Sequence, residues 1–328
     1  MNSYGNLFKV TLYGESHQEA IGVVIDGIPA GIQIDLERIT LDLKKRQPGA
    51  IGTTKRIEPD LFKITSGVFN GYSTGSPIHL TIENVNTQSK DYEHLIHQPR
   101  PGHADFVANI KYKGFQDYRG GGRFSGRLTA ALVAAGAIAK MVIPFELSNE
   151  LIQVGALTDL SKIDEYLENI AKQGDSVGGL IEIKATNMIV GLGEPFFNKL
   201  DAEIAKMMFS IPAVKGVEIG TGFKGLTMLG SQFNDEFIDE AGKTKTNNSG
   251  GVSGGISNGN DLIVKVMIKP TSSIQKSQET FSFETNQKEV LQIGGRHDVC
   301  IARRAGIVLE NALAIVLADL YLISKAYH

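Results

Sequence analysis

Three histidines in this chain of 328 residues stand where an imidazole could move a proton. Gly14-Glu15-Ser16-His17 follows directly on a strand pattern and leaves a hydroxyl and an imidazole at its end. Arg100-Pro101-Gly102-His103-Ala104-Asp105 sets a second imidazole in the most basic part of the chain. Cationic neighbours lower a histidine's pKa and a phosphate dianion raises it, so His103 is suited to hand a proton to a departing phosphate. Gly294-Gly295-Arg296-His297-Asp298 places a base and a carboxylate just ahead of a helical pattern. Lys269-Pro270-Thr271-Ser272-Ser273 offers one cation and three hydroxyls, a cradle for phosphate or for polar ring edges. Each segment alone could be an ordinary turn; their joint occurrence carries the argument.

Charge placement says where an anion would go. The chain holds 33 Lys and Arg against 36 Asp and Glu, a formal net charge of −3. Residues 42–56 carry +4, 100–127 carry +4 and 294–304 carry +2, which leaves −13 on the rest. Glycine is enriched, at 37 residues, and it clusters beside these arginines, as in Arg119-Gly120-Gly121-Gly122-Arg123. Guanidinium forks pair with phosphate or carboxylate oxygens, and glycine lets backbone N–H groups approach them. The slightly acidic total and the lack of RRM, KH or zinc-finger patterns argue against nucleic acid. Small polyanions are the expected ligands.

Other motifs fail their context. Gly220-Thr221-Gly222-Phe223-Lys224-Gly225 matches G-x-G-x-x-G, but no helical period follows it, so it reads as a turn. Gly242-Lys243-Thr244 lacks the earlier glycine of a P-loop, since position 237 is Phe. His94 and His97 have no third ligand in range, so no metal is expected. Cys300 is the sole cysteine, which points to a reducing, cytoplasmic setting. The stretch read as least polar, 128–139, is about 18 Å long as a helix against about 30 Å of bilayer core, so no membrane partner is expected.

The elements that must position these groups read as short strands at 8–13, 21–25, 62–68, 78–82, 179–185, 214–219 and 262–268. Helices are predicted at 127–142, 197–209 and 303–325. The polar Gly/Ser/Asn-rich stretch 234–260 reads as a long loop of the kind that closes over a site. Strands and helices cluster and do not alternate, which gives α+β in one domain spanning 1–328.

Taken together and in this order, the segments resemble chorismate synthase. The resemblance rests on GESH (14–17), DGIPAG (26–31), RQPG (46–49), TKRIEPD (54–60), RPGHAD (100–105), the run DYRGGGRFSGRLTAALVAAGAIAK (117–140), KLDAEIAKMMFSIPAVKGVEIGTGF (199–223), GGVSGGISNG (250–259), KPTSSI (269–274) and GRHD (295–298). It implies conversion of 5-enolpyruvylshikimate 3-phosphate to chorismate and phosphate by 1,4-anti elimination. It also implies a requirement for reduced FMN without net redox change. The implied fold is an α+β sandwich of antiparallel sheets covered by helices, assembled as a homotetramer.

The resemblance also implies residue roles. Arg46, Arg100, Arg127 and Arg296, with Arg56 and Arg304, would bind the substrate's anionic groups. Arg123, Phe124, Ser125, Pro212, Ala213, Gly254, Lys269, Pro270, Thr271, Ser272, Ser273 and Arg296 would hold FMN. His103 would protonate the departing phosphate, His17 would keep the flavin in its reactive protonation state near N1, and Asp298 would help remove the ring proton. Ser16 and Ser125 would relay protons. Gln18 stands where the family has glycine. Two other classes fit part of the set. A non-catalytic flavin or phosphometabolite binder would not need His17, His103 and Asp298, and an NADPH-consuming oxidoreductase would need a nicotinamide site that the failed dinucleotide motif does not supply.

Overall fold

Asp35 opens α1 (Leu36–Arg46), accepting from the backbone N–H groups of Glu37 at 2.9 Å and Arg38 at 3.1 Å. Lys44, Lys45 and Arg46 fill its last turn, where cations meet the negative end of the helix dipole. Arg46 is thereby delivered at a fixed point. The computed structural model describes residues 1–54, 58–85, 97–294 and 297–327.

The first sheet is built from β1 (Ser3–Tyr4), β2 (Lys9–Gly14), β3 (Ala20–Asp26), β4 (Phe62–Ser66) and β7 (Ile78–Glu83), in the order β1-β2-β3-β7-β4 and antiparallel throughout. Period-two alternation sends Ile21, Val23 and Ile25 of β3 and Ile82, Leu80 and Ile78 of β7 to one face, paired in that order and fully buried. The strand expected over 62–68 stops at Ser66, because a register shift between Ile64 and Ser66 breaks the ladder. The chain then turns through the short hairpin β5 (Val68–Phe69) and β6 (Tyr72–Ser73).

After α2 (Asp105–Lys111) and α3 (Thr129–Val142), the second sheet uses β8 (Glu146–Val154), β9 (Gly179–Thr186), β10 (Val214–Ile219) and β13 (Leu262–Ile268). Its order is β10-β13-β9-β8, again antiparallel. Ile181 and Ile183 of β9 face the same side as Val264 and Val266 of β13, all fully buried. The remaining elements are α4 (Ile163–Lys172), α5 (Leu200–Ser210), α6 (Gly230–Phe233), hairpins β11 (Val252–Ser253)–β12 (Ile256–Ser257) and β14 (Gln278–Ser282)–β15 (Gln287–Leu291), and α7 (Ala302–Tyr327).

α3 packs on the first sheet, α7 packs on the second, and the two helices pack on each other with α1 and α5 at their flanks. The α+β sandwich therefore has its helices covering the facing surfaces of both sheets, at the centre of the molecule. A Cβ on Gly136 of α3 would lie 2.3 Å from Asn311 Cβ of α7, so this glycine sets how closely the helices cross. Beside it Lys140 donates to Asp42 at 2.7 Å and to Glu310, while Asn311 donates to Asp42 at 3.1 Å. These buried charges are paired, as a low-dielectric interior requires.

Two expectations change. α7, not 128–139, is the helix among the described residues long and apolar enough to cross a membrane, at 26 residues. Every residue from Ala305 to Leu320 is buried between the sheets, so that apolar character serves the core. The 234–260 stretch is not a plain loop, since it contains the β11–β12 hairpin. Asp235 accepts from the N–H groups of Asn248 (2.7 Å) and Ser249 (2.9 Å) and from Thr246 Oγ1 (2.7 Å), folding the segment on itself.

Candidate active site

A cleft of about 1560 Å³ collects the end of α1, residues from 100 to 129, the turn after α5, the 269–273 stretch and residues from 292–294 and 297–308. Among the described residues seven cationic side chains line it, Arg46, Arg100, Arg123, Arg127, Lys215, Lys269 and Arg304, with the carboxylates Glu58, Asp105, Asp117 and Asp298. No residue of 234–260 lines it.

The arginines arrive already paired. Asp60, whose side chain has no exposed surface, accepts from Arg46 Nη2 at 2.7 Å with one oxygen and from Arg127 Nη1 with the other. Glu58 lies 2.9 Å from Arg127 Nε. Ser125 Oγ accepts from the Arg127 backbone N–H at 3.2 Å, which fixes the turn that presents this arginine. Arg100 makes a bidentate pair with Asp105, with both bonds at 2.8 Å. Arg304 Nη2 lies 2.7 Å from one Asp298 oxygen, while the other accepts from the Thr54 N–H at 3.0 Å. Arg123 instead donates to the backbone carbonyls of Leu12 at 2.7 Å and Gly14 at 3.1 Å, and burial lowers its pKa.

Gly102, at φ +72°, turns His103 into the cleft, and the imidazole Nε2 lies 2.8 Å from Ser273 Oγ. Burial, then the nearby Arg100, Lys269 and His297, push the His103 pKa down to about 4 against a partial opposing pull from Asp105. Lys269 Nζ donates to Gly102 O at 2.8 Å and to Ser272 Oγ, and Ser272 Oγ donates to the same carbonyl at 2.9 Å. Burial holds the pKa of Lys269 below its ordinary value, with help from Lys215. The His297 pKa is likewise lowered by burial.

The Gly120-Gly121-Gly122 run has φ of +57°, +79° and +49°, a conformation open to glycine and strained for other residues. It lies directly on the GESH turn. Ser16 Oγ donates to Gly120 O at 3.0 Å, and a Cβ on Gly120 would be 2.3 Å from His17 Nε2.

The family model for chorismate synthase matches residues 8–322. A chorismate synthase of Chitinophaga pinensis is 51% identical over 327 residues, covering 99% of this chain and 98% of its own. One from Dehalococcoides mccartyi is 46% identical over 351 aligned residues, covering 98% and 96%. A crystal structure of chorismate synthase superimposes with a TM-score of 0.76 at 28% identity, covering 98% of this chain and 93% of the other. The chain belongs to the chorismate synthase family.

Most residues marked by the chorismate synthase resemblance come together. His103, Asp298, Ser125, Arg46, Arg100, Arg127, Arg304, Arg123, Phe124, Pro212, Ala213 and Lys269 through Ser273 all line the cleft. Ser16 and His17 do not; both are buried and lie against Gly120, which does line it. Gly254 sits at the tip of the β11–β12 hairpin, outside the cleft lining. Arg56 and Arg296 lie outside the described residues. Gln18, the departure from the chorismate synthase pattern, donates to Asp117 Oδ2 at 3.0 Å and so ties the GESH turn to the start of the glycine run. Asp60, Glu58 and Lys215, which no motif marks individually as site residues, also belong to the site. The available signal was acids embedded in or beside a basic stretch, which in a cleft become the partners that hold arginines in place.

Proposed function

We propose that this chain catalyses the 1,4-anti elimination of phosphate from 5-enolpyruvylshikimate 3-phosphate to give chorismate, with reduced FMN and no net redox change. One observation carries the reading: His103, Asp298 and, among the described residues, seven cationic side chains share a single cleft. The substrate's two carboxylates and phosphate bring roughly −4 and the flavin phosphate roughly −2, and that much anion needs arginines at close range. A cleft of about 1560 Å³ exceeds the range of roughly 300–1,000 Å³ usual for one small ligand, which suits two.

The residues present fit a flavin nucleotide. The Thr271 hydroxyl is buried and lacks a hydrogen-bond partner among the described residues, and Lys269 donates to neutral oxygens. With Ser272 and Ser273 they would hold its acceptor oxygens, and Phe124, Pro212 and Ala213 would offer apolar surface near Arg123. Reduced FMN, when bound, supplies transient electron density that weakens the allylic C–O bond.

This chain's own groups do the rest. Arg46, Arg100, Arg127 and Arg304 orient the substrate anions. His103 donates a proton to the phosphate oxygen as the C–O bond breaks with its electron pair leaving on phosphate. Asp298 accepts the proton lost from the ring carbon as the new double bond forms. When the flavin is bound, His17 would keep it in its reactive protonation state near N1, and Ser16 and Ser125 would relay protons. The active form would be a cytoplasmic homotetramer.

The test is an anaerobic assay with substrate and chemically reduced FMN, following chorismate. Formation of chorismate is expected, and its absence overturns the proposal. A second arm with oxidised FMN and NADPH reports whether the chain reduces its own flavin.

A further inference from the structure

We infer that Asp60 is the positioning residue for the substrate-anion arginines, one buried carboxylate that sets the spacing and orientation of Arg46 and Arg127. The inference rests on the function proposed above. The two arginines come from separate elements, the last residue of α1 and the turn just before α3. Their guanidiniums are like charges in a buried place, at 7% and 9% residue exposure, and a shared anion offsets their repulsion; Glu58, Asn84 Oδ1 and Glu83 O hold Arg127 besides. Asp60 gives each arginine one oxygen, Oδ2 to Arg46 Nη2 at 2.7 Å and Oδ1 to Arg127 Nη1. It does so from a left-handed backbone, φ +49°, which Asp tolerates better than most non-glycine residues.

The pairing leaves a donor over. Arg46 Nε is buried and has no hydrogen-bond partner among the described residues, although Nη2 is bound to Asp60 and Nη1 lies 3.4 Å from Thr129 Oγ1. A buried donor without a partner is rare in a folded protein. Arg46 lines the cleft, and Asp60 holds its guanidinium there although Nε goes unpaired among the described residues.

Charge alone and positioning predict opposite outcomes, which makes the inference testable. A carboxylate in an anion site that acted only through its charge would weaken anion binding, so removing it would tighten binding. If Asp60 positions the arginines, removal weakens binding although the site becomes more positive. Asp60→Asn in the FMN-loaded protein is expected to raise both the Kd and the KM for 5-enolpyruvylshikimate 3-phosphate ten- to a hundred-fold, the loss typical of a charge-assisted contact. The fall in kcat is expected to be smaller, and the FMN Kd to stay within twofold. Asp60→Glu keeps the charge and displaces it by one methylene. It is expected to weaken substrate binding in the same direction, and it serves as the test if Asp60→Asn does not fold. Asp42→Asn, in the core ion cluster, controls for general destabilisation: a lower Tm with substrate Kd unchanged. Unchanged or tighter substrate binding in the folded Asp60 variants overturns the inference. A wild-type protein that neither binds nor turns over the substrate overturns the function beneath it instead.

Discussion

His103 should be neutral in the ligand-free protein and take up a proton when a phosphate dianion arrives. Its pKa is pushed down to about 4, first by burial and then by Arg100. At pH 7 that leaves about one molecule in a thousand protonated, against about one in four for an ordinary histidine. Half-protonation at pH 7 requires a rise of about three pKa units, or about 4 kcal/mol. One negative charge about 4 Å away supplies about 4 kcal/mol at an effective dielectric of about 20, and a dianion about twice that. The phosphate to be expelled is thus sufficient to charge the acid that helps expel it.

The assay is a titration of the His103 ring signals by NMR, with and without inorganic phosphate. Calorimetry of substrate binding in buffers of different ionisation enthalpy should show net proton uptake at pH 7. The same depression has a stability sign. The unfolded chain binds this proton at about pH 6.5 and the folded chain at about 4, so the unfolded state gains the proton first as pH falls. Folded-state stability is then lost between about pH 6.5 and 4, by about 3 kcal/mol from this group, and is flat below. A ligand-free pKa at or above 6.5, or one that phosphate leaves unmoved, refutes the reasoning.

Three further outcomes are expected. His103→Ala should lose most turnover while still binding oxidised FMN; wild-type turnover at saturating reduced flavin removes the assignment. Gly120→Ala places a Cβ 2.3 Å from His17 Nε2 and 2.6 Å from Ser16 Oγ at φ +57°, so it should cost about 2–4 kcal/mol in stability, measured by urea unfolding, together with a loss of activity. Lys140→Met strands the Asp42 and Glu310 carboxylates in the core and should cost about 3–5 kcal/mol, read as a lower midpoint in the same experiment, with substrate KM little changed.

The strands at 214–219 and 262–268 were legible to the residue because alternation and length agree there. α1 and α4 were not read. Both are short and half-exposed, so their apolar stripes are brief, although Asp35 and the basic end of α1 were available as signals. The helix expected from 197 begins at Leu200, because Asn198 takes φ +62° and Leu200 N–H is bound to Gly255 O. The polar 234–260 stretch holds more order than its composition suggests, for a different reason. Asn, Asp and Ser side chains that suggest loop mobility in a sequence are the groups that bond backbone in a folded loop, as Asp235 and Asn247 do here. Site residues were legible where glycine and arginine adjoin. What the sequence does not carry is depth, so nothing in GESH distinguishes a residue on the cleft wall from one buried against Gly120.

Depth also changes how the charge should be understood. Read along the chain, the basic stretches suggest a bare cationic surface. In the fold, carboxylates stand beside nearly every one of those arginines, with Asp60 having no exposed side-chain surface and Asp298 and Asp105 at 10% and 17%. Seven unpaired cations in one cleft would repel one another and oppose folding. Pairing Arg46, Arg100, Arg127 and Arg304 with carboxylates lowers that cost and fixes their forks. The cleft then presents fixed N–H geometry with a modest excess of positive charge. That arrangement discriminates among anions by shape, which a general polyanion trap would not do.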